Sequence, residues 1–288
     1  MRISRSWLLL AASGVVAAVA VAIGLSQMMS RSDAILGATH AAPPSGVRAV
    51  SSPEVMARGA RLVAVTTCTS CHGTDLTGGR LNAAGTAIMT PNLTRLATRR
   101  TDAELDRALR HGLRPTGTSE LLMPSAAYAS FTDEETTAVL SYLRSLPPKG
   151  VDAPKVQPGL MLRANLALGR VRTSADEISR AQPSVDLGPG LAAGRHLAAI
   201  ACGRCHGTDL GGIRAVGPDL TVRGYYSRKQ FHGLLSKGDA IGEGHMQLMT
   251  QTALVSFSHF NDAEIDAIYD YLDARDVRLG AQAPPKKG

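Results

Sequence analysis

The sequence predicts an all-α protein, with two small helical domains in tandem behind an N-terminal transmembrane helix. Three observations predict it. Cys68-Thr69-Ser70-Cys71-His72 recurs as Cys202-Gly203-Arg204-Cys205-His206, and both copies run on into Gly-Thr-Asp-Leu. Capping patterns stand ahead of apolar stripes of helical period in both halves, and strand signals are few. Finally, no charged residue interrupts the stretch from Trp7 to Leu25, which follows Arg2 and Arg5.

The uncharged stretch is long enough to span a bilayer as a helix. A cleavable signal has a shorter apolar region that ends at a small-x-small site, whereas the Ala-x-Ala triplets Ala18 to Ala20 and Ala20 to Ala22 fall inside the run. Residues 1–27 therefore read as an uncleaved anchor in preference to a cleaved signal. Positive charge ahead of the span holds the start in the cytoplasm. The expectation is a single span in the inner (cytoplasmic) membrane with everything after it in the periplasm. Residues 28–50 mix Ser, Ala, Gly and Pro and read as a flexible stalk.

The first domain is expected over residues 51–148. Ser52-Pro53-Glu54 supplies an N-cap followed by proline at the first helical position. Thr101 to Glu104 is a capping box for a helix bearing Leu105 and Leu109 and stopped at Gly112, and Thr132 to Glu135 is another, for a helix bearing Val139, Leu140 and Leu143. Residues 188–280 repeat the plan. Ser227 to Gln230 and Asn261 to Glu264 cap helices there, and Phe260 precedes Tyr271-Leu272 at the spacing by which Phe131 precedes Tyr142-Leu143. This is an internal duplication. The connecting segment 149–187 is too long to be structureless, and its apolar residues around Leu160, Met161, Leu162, Leu166 and Leu168 are expected along the seam between the domains. Residues 281–288 form a tail.

The repeated Cys-x-x-Cys-His is the attachment signal for c-type haem. Two thiols one helical turn apart form thioether bonds to the porphyrin vinyl groups, and the next imidazole is held beneath the iron. A zinc ribbon pairs its Cys-x-x-Cys knuckles within about 20 residues, and a dithiol redox site has no need of a histidine at the same place twice. Two covalently bound haem c groups are the cofactors expected, on Cys68, Cys71 and His72 and on Cys202, Cys205 and His206. All four cysteines are thereby used, so none remains for a disulfide or a further ligand. Aromatic residues make up only 4% of the chain, and a porphyrin supplies the flat apolar mass that such small cores lack.

Each iron keeps one further axial position. A thioether closes it and raises the potential, whereas an open position binds small ligands. Met123, stiffened by Pro124, is the choice in the first domain over Met56, Met89 and His111. In the second, Met249 aligns with Met123 after a short insertion, and Met246 and His245 remain alternatives. Thr90-Pro91-Asn92-Leu93-Thr94 matches Gly217-Pro218-Asp219-Leu220-Thr221. A ligating imidazole normally donates its other N–H to a fixed acceptor, so the carbonyls of Pro91 and Pro218 are expected partners of His72 and His206.

With Cys-x-x-Cys-His, Pro-Asn-Leu-Thr or Pro-Asp-Leu-Thr, a late methionine and a closing Tyr-Leu helix, each half resembles a class I cytochrome c domain. The order in the first half, through Ala108-Leu109-Arg110-His111-Gly112 and Tyr142-Leu143-Arg144-Ser145-Leu146-Pro147, resembles the membrane-bound cytochrome c subunits of bacterial alcohol- and gluconate-type dehydrogenases. Those subunits commonly carry three such domains, and two are read here. The resemblance implies an electron carrier with no catalytic residues, working between redox partners in the respiratory chain: a dehydrogenase catalytic subunit, an oxidase or another cytochrome. The alternative is a dihaem enzyme such as a cytochrome c peroxidase or a thiosulfate dehydrogenase. Nucleic acid is not an expected partner, because the formal charge of +7 comes from the terminal and connecting segments while both motif-bearing segments are nearly neutral.

Overall fold

A computed structural model gives the fold and describes residues 5–83, 86–154, 157–214, 216–241 and 247–280. Its first element, α1 (Arg5–Gly37), is a continuous helix of 33 residues. At 1.5 Å per residue it is about 50 Å long. It is long and apolar enough to cross a membrane.

The first motif lies among α2 (Pro53–Val65), α3 (Cys68–His72), α4 (Leu93–Arg99), α5 (Asp102–His111), α6 (Ser125–Tyr128) and α7 (Asp133–Ser145). A short antiparallel hairpin, β1 (Arg80–Ala83) paired with β2 (Thr86–Met89) with Arg80 opposite Met89, interrupts them. The linking segment holds α8 (Leu160–Ala167) and α9 (Ser174–Arg180). The second motif ends α10 (Ala192–His206), and α11 (Arg228–Lys237), α12 (Gln247–Val255) and α13 (Asp262–Arg278) follow.

Local chemistry fixes these helix starts. Ser52 accepts from the Val55 amide with Pro53 at the first position, and reciprocal capping boxes form at Thr101, Thr132, Ser227 and Asn261. Each cap contributes about 1 kcal/mol. Gly112 closes α5 in the left-handed region.

In each half the helix leading to the motif crosses the closing helix at a glycine. A Cβ on Gly59 would lie 1.9 Å from the Ala138 carbonyl oxygen and 2.8 Å from the Tyr142 Cβ, and one on Gly194 would lie 1.9 Å from the Ala267 oxygen and 2.9 Å from the Tyr271 Cβ. Only hydrogen fits at either crossing. Leu62, Tyr128, Phe131, Val139 and Leu140 fill the core beside the first crossing. Phe231, Phe257, Ile265, Ile268 and Tyr271 fill the second.

Two expectations are corrected. Residues 28–50, expected as a flexible stalk, continue α1 through Gly37 and then lie along the first domain. Ile35 and Leu36 pack with Leu162 and Leu166 of α8, Arg163 donates to Ser32 at 2.9 Å and pairs with Asp33, and burial of that apolar face makes a mobile stalk unfavourable. Farther on, the Ala49 amide donates to Asp102 and the Val50 amide to Ser141, both at 2.9 Å. The apolar residues Leu160 to Leu168, expected along the seam, instead lie in and beside α8, which packs against the end of α1 and Ile88 of the first half, while the end of the connecting segment reaches the second half, where the Val185 carbonyl accepts from the Tyr271 hydroxyl at 2.9 Å. Asn92 donates to the Lys149 carbonyl at 2.7 Å, and the Ser174 amide to that of Glu120 at 3.0 Å. Met161 is exposed.

The seam itself is built by α10. Ile200, fully buried, belongs to the first core although it stands in the second half, and Val65 of α2 belongs to the second core. Arg61 pairs with Glu264, and the His196 Nε2 lies 2.8 Å from the Glu135 carboxylate.

Candidate haem-attachment sites

At the first motif the chain turns sharply before the cysteines. The Thr66 hydroxyl donates back to the Leu62 carbonyl at 2.6 Å, Thr67 adopts a left-handed φ of 61°, and α3 restarts at Cys68. Cys68 and Cys71 are free thiols, partly buried and one turn apart. Burial pushes the Cys68 thiol up, keeping it protonated. His72, only 7% exposed, has its Nδ1 2.9 Å from the Pro91 carbonyl oxygen. A carbonyl can only accept, so Nδ1 carries the hydrogen and Nε2 is the nitrogen left for a metal. Burial lowers the imidazole pKa, which favours the neutral, ligating form, against the opposing pull of the Pro91 hydrogen bond.

The residues after His72 tie the site to the turn that carries Pro91. The Gly78 amide donates to the His72 carbonyl and the Leu93 amide to that of Leu76, each at 2.8 Å. Leu76 holds a φ of 61° and is buried, so its packing offsets the cost of a left-handed leucine. The Thr90 hydroxyl accepts from the Gly79 amide and donates to the Cys71 carbonyl, both at 2.7 Å.

The second motif repeats this wiring on a different support. It is the last turn of α10, without the break that separates α2 from α3. The His206 Nδ1 lies 2.7 Å from the Pro218 carbonyl oxygen, the Gly212 amide donates to the His206 carbonyl at 2.7 Å, and the Leu220 amide to that of Leu210 at 3.0 Å. Leu210 is again left-handed, at 63°. Burial pushes the Cys202 thiol up to about 12 and lowers the His206 imidazole pKa. Gly217 stands where the first site has Thr90, and the hydroxyl bridge is absent there.

Met123 and Cys68 both border the first core. Met249 and Cys202 both border the second. The local settings differ, since Met123 follows a left-handed Leu122 in the loop before α6, whereas Met249 lies within α12. Met246 and His245 lie outside the described residues. Met89 is 40% exposed.

These residues fit covalently held haem. Each site offers two free thiols one turn apart, an imidazole, buried at the first site and half-buried at the second, whose Nδ1 is spent on a carbonyl, and a methionine on the border of the same core. Among the described residues, no group of three or more His, Cys, Asp or Glu is arranged to hold a bare metal ion. Sequence reasoning missed two features at the seam. The Tyr128 hydroxyl donates to the Thr66 carbonyl at 2.8 Å, and Arg204 of the second motif donates to the Thr67 hydroxyl at 2.7 Å. The Arg204 signal was present as the one charged residue inside either Cys-x-x-Cys.

Residues 56–147 match the family model described as Cytochrome c. Residues 189–272 match the model described as Cytochrome C oxidase, cbb3-type, subunit III. No curated protein matches the chain. The two halves are cytochrome c-type domains, and the chain is a tandem cytochrome c that carries two covalently bound haem c groups and transfers electrons.

Proposed function

We propose that this tandem cytochrome c is a membrane-anchored periplasmic carrier, without catalysis of its own, that passes electrons from a dehydrogenase-like donor towards the respiratory chain. The domains are taken as 51–148 and 188–280, with α1 as an inner-membrane anchor. Cys68 and Cys71, and Cys202 and Cys205, tether the porphyrins. His72 and Met123 would hold one iron, and His206 and Met249 the other. When bound, each haem supplies a one-electron Fe(III)/Fe(II) couple.

The chain's own residues keep the ligand sets fixed. The Pro91 and Pro218 carbonyls orient the two imidazoles and raise their basicity. Residues held in this way would keep the same contacts to the group in both oxidation states, so electron transfer would need little reorganisation and no substrate pocket. The observation that carries this reading is the repeated imidazole–prolyl carbonyl hydrogen bond, at 2.9 and 2.7 Å, together with a methionine bordering the core that each motif borders. The resemblance of the first half to dehydrogenase cytochrome subunits supports the donor. The match of the second half to subunit III of a cbb3-type oxidase supports a terminal acceptor of that kind.

Potentiometric titration of holoprotein variants tests the ligands. Met123→Ala and Met249→Ala should each lower the potential of one haem and leave the other. Should Met249→Ala leave both unchanged while Met246→Ala lowers one, the second ligand is Met246. Unchanged potentials in all three variants refute the methionine assignment. A high-spin haem in the wild-type protein that binds peroxide or another small ligand favours the enzyme.

A further inference from the structure

Arg204 is the middle residue of the second attachment motif, yet it serves the first. On a helix of 3.6 residues per turn, Cys202, Cys205 and His206 share one face while position 204 lies about 200° around from Cys202. The side chain therefore leaves its own site and crosses the seam. Its guanidinium donates to the hydroxyl of Thr67, the residue immediately before Cys68. Gly203 beside it faces Ala127 of α6, and Tyr128 of that helix donates to the Thr66 carbonyl alongside. The arrangement is not reciprocal, because Ser70, the equivalent residue of the first motif, is exposed.

The charge at this place is not matched by a side chain of the described residues. Arg204 is half-buried, and among the described residues no carboxylate lies within ion-pair distance of it, whereas Arg61, Arg110, Arg144, Arg223 and Arg275 all have one. Arginine stays protonated at every accessible pH. A hydrogen bond to a neutral hydroxyl could be made by an uncharged side chain, so the charge itself is left to act on the first site.

We propose that Arg204 is a positioning residue for electron transfer: its fixed positive charge raises the midpoint potential of the first haem above the value that His72 and its distal ligand give by themselves. A nearby cation disfavours the ferric form, which carries one more positive charge than the ferrous form, and this effect is strong where water is excluded. The duplication thereby gains an asymmetry that its matching ligand sets do not supply. The inference rests on the carrier reading above, and on the guanidinium being hydrogen-bonded to the residue next to Cys68.

The test is potentiometric titration of the holoprotein, followed optically, on wild type, Arg204→Gln, Arg204→Met and Arg204→Lys, with thermal unfolding of each recorded alongside. Gln and Met are two neutral replacements of similar length, so failure of one to fold leaves the other. The neutral variants should lower the potential of the first haem, shifting its reduced-to-oxidised ratio at fixed ambient potential by roughly threefold to tenfold. Lys should restore most of that shift. The second haem should move less, and Met123→Ala identifies which transition is the first haem. Equal potentials in wild type and both neutral variants overturn the proposal, as does a shift in which Lys behaves like Gln. In either case a retained effect of Met123→Ala leaves the carrier reading standing.

Discussion

Substituting Gly59 by Ala places a methyl group between the two helices that frame the first site. Its carbon would meet the Ala138 carbonyl oxygen at 1.9 Å, where real Cβ atoms essentially never approach within 3.0 Å. The helices must therefore separate by about 1 Å, loosening a contact that buries Leu62, Val139 and Leu140. Overpacking of this kind costs about 1–3 kcal/mol, and here the obstacle is backbone, so the upper end applies. Alanine gains back about 1 kcal/mol of helix propensity. The net is about 2 kcal/mol of destabilisation, which for a domain of this size lowers the melting temperature by roughly 10 °C. Calorimetry of the holoprotein reads it directly, with Gly194→Ala giving the same loss in the second domain through Ala267 and Tyr271. Gly190→Ala, which meets nothing within 4 Å, is the control and should change stability by less than about 0.5 kcal/mol. Gly59→Ala with a melting temperature at or above that of wild type refutes the argument.

Two further outcomes follow from the seam. Tyr128→Phe removes the hydroxyl that satisfies the buried Thr66 carbonyl and should cost about 1–3 kcal/mol, measured by chemical denaturation, with the loss confined to the first domain. At Glu135, burial pushes the carboxyl up, but hydrogen bonds from His196 and the Thr132 amide outweigh it and leave the carboxyl below its usual range. Its contribution is complete above the unfolded value of about 4.3 and is lost as pH falls through the lower folded value. Docking of the domains should thus be weaker in acid than at neutral pH, detected as a lower denaturant midpoint for their separation followed by X-ray scattering. Arg58 also acts on this carboxylate, so Glu135→Gln should reproduce the acid state at neutral pH. No difference between that variant and wild type contradicts the assignment.

What could be read from the sequence was whatever is encoded within a few neighbouring residues. The caps at Ser52, Thr101, Thr132, Ser227 and Asn261 are local hydrogen-bonding devices, and each appears in the structure. The attachment motifs and the Pro91 and Pro218 turns were visible because the duplication displays them twice. Features that depend on distant partners were not legible. Gly59 and Gly194 carry no signal until Ala138 and Ala267 are placed against them. The β1–β2 hairpin is too short to show an alternating pattern. The helix end from Arg31 to Leu36 read as stalk because its stripe, Ile35 and Leu36, is covered by a cluster that includes Leu162 and Leu166 of α8, more than a hundred residues away in sequence. Arg204 points across the seam for the same reason. The second distal methionine stays the least legible feature, since Met123 sits in a loop and Met249 in a helix, and sequence spacing does not carry across that change.

The central claim is that both irons are closed by a histidine and a methionine, and the optical spectrum of the oxidised protein, purified with both haems attached from its native membranes, tests it most directly. The account predicts two low-spin haems, each contributing a methionine-to-iron charge-transfer band. A high-spin component, or the loss of either band on adding a small exogenous ligand at low concentration, contradicts it.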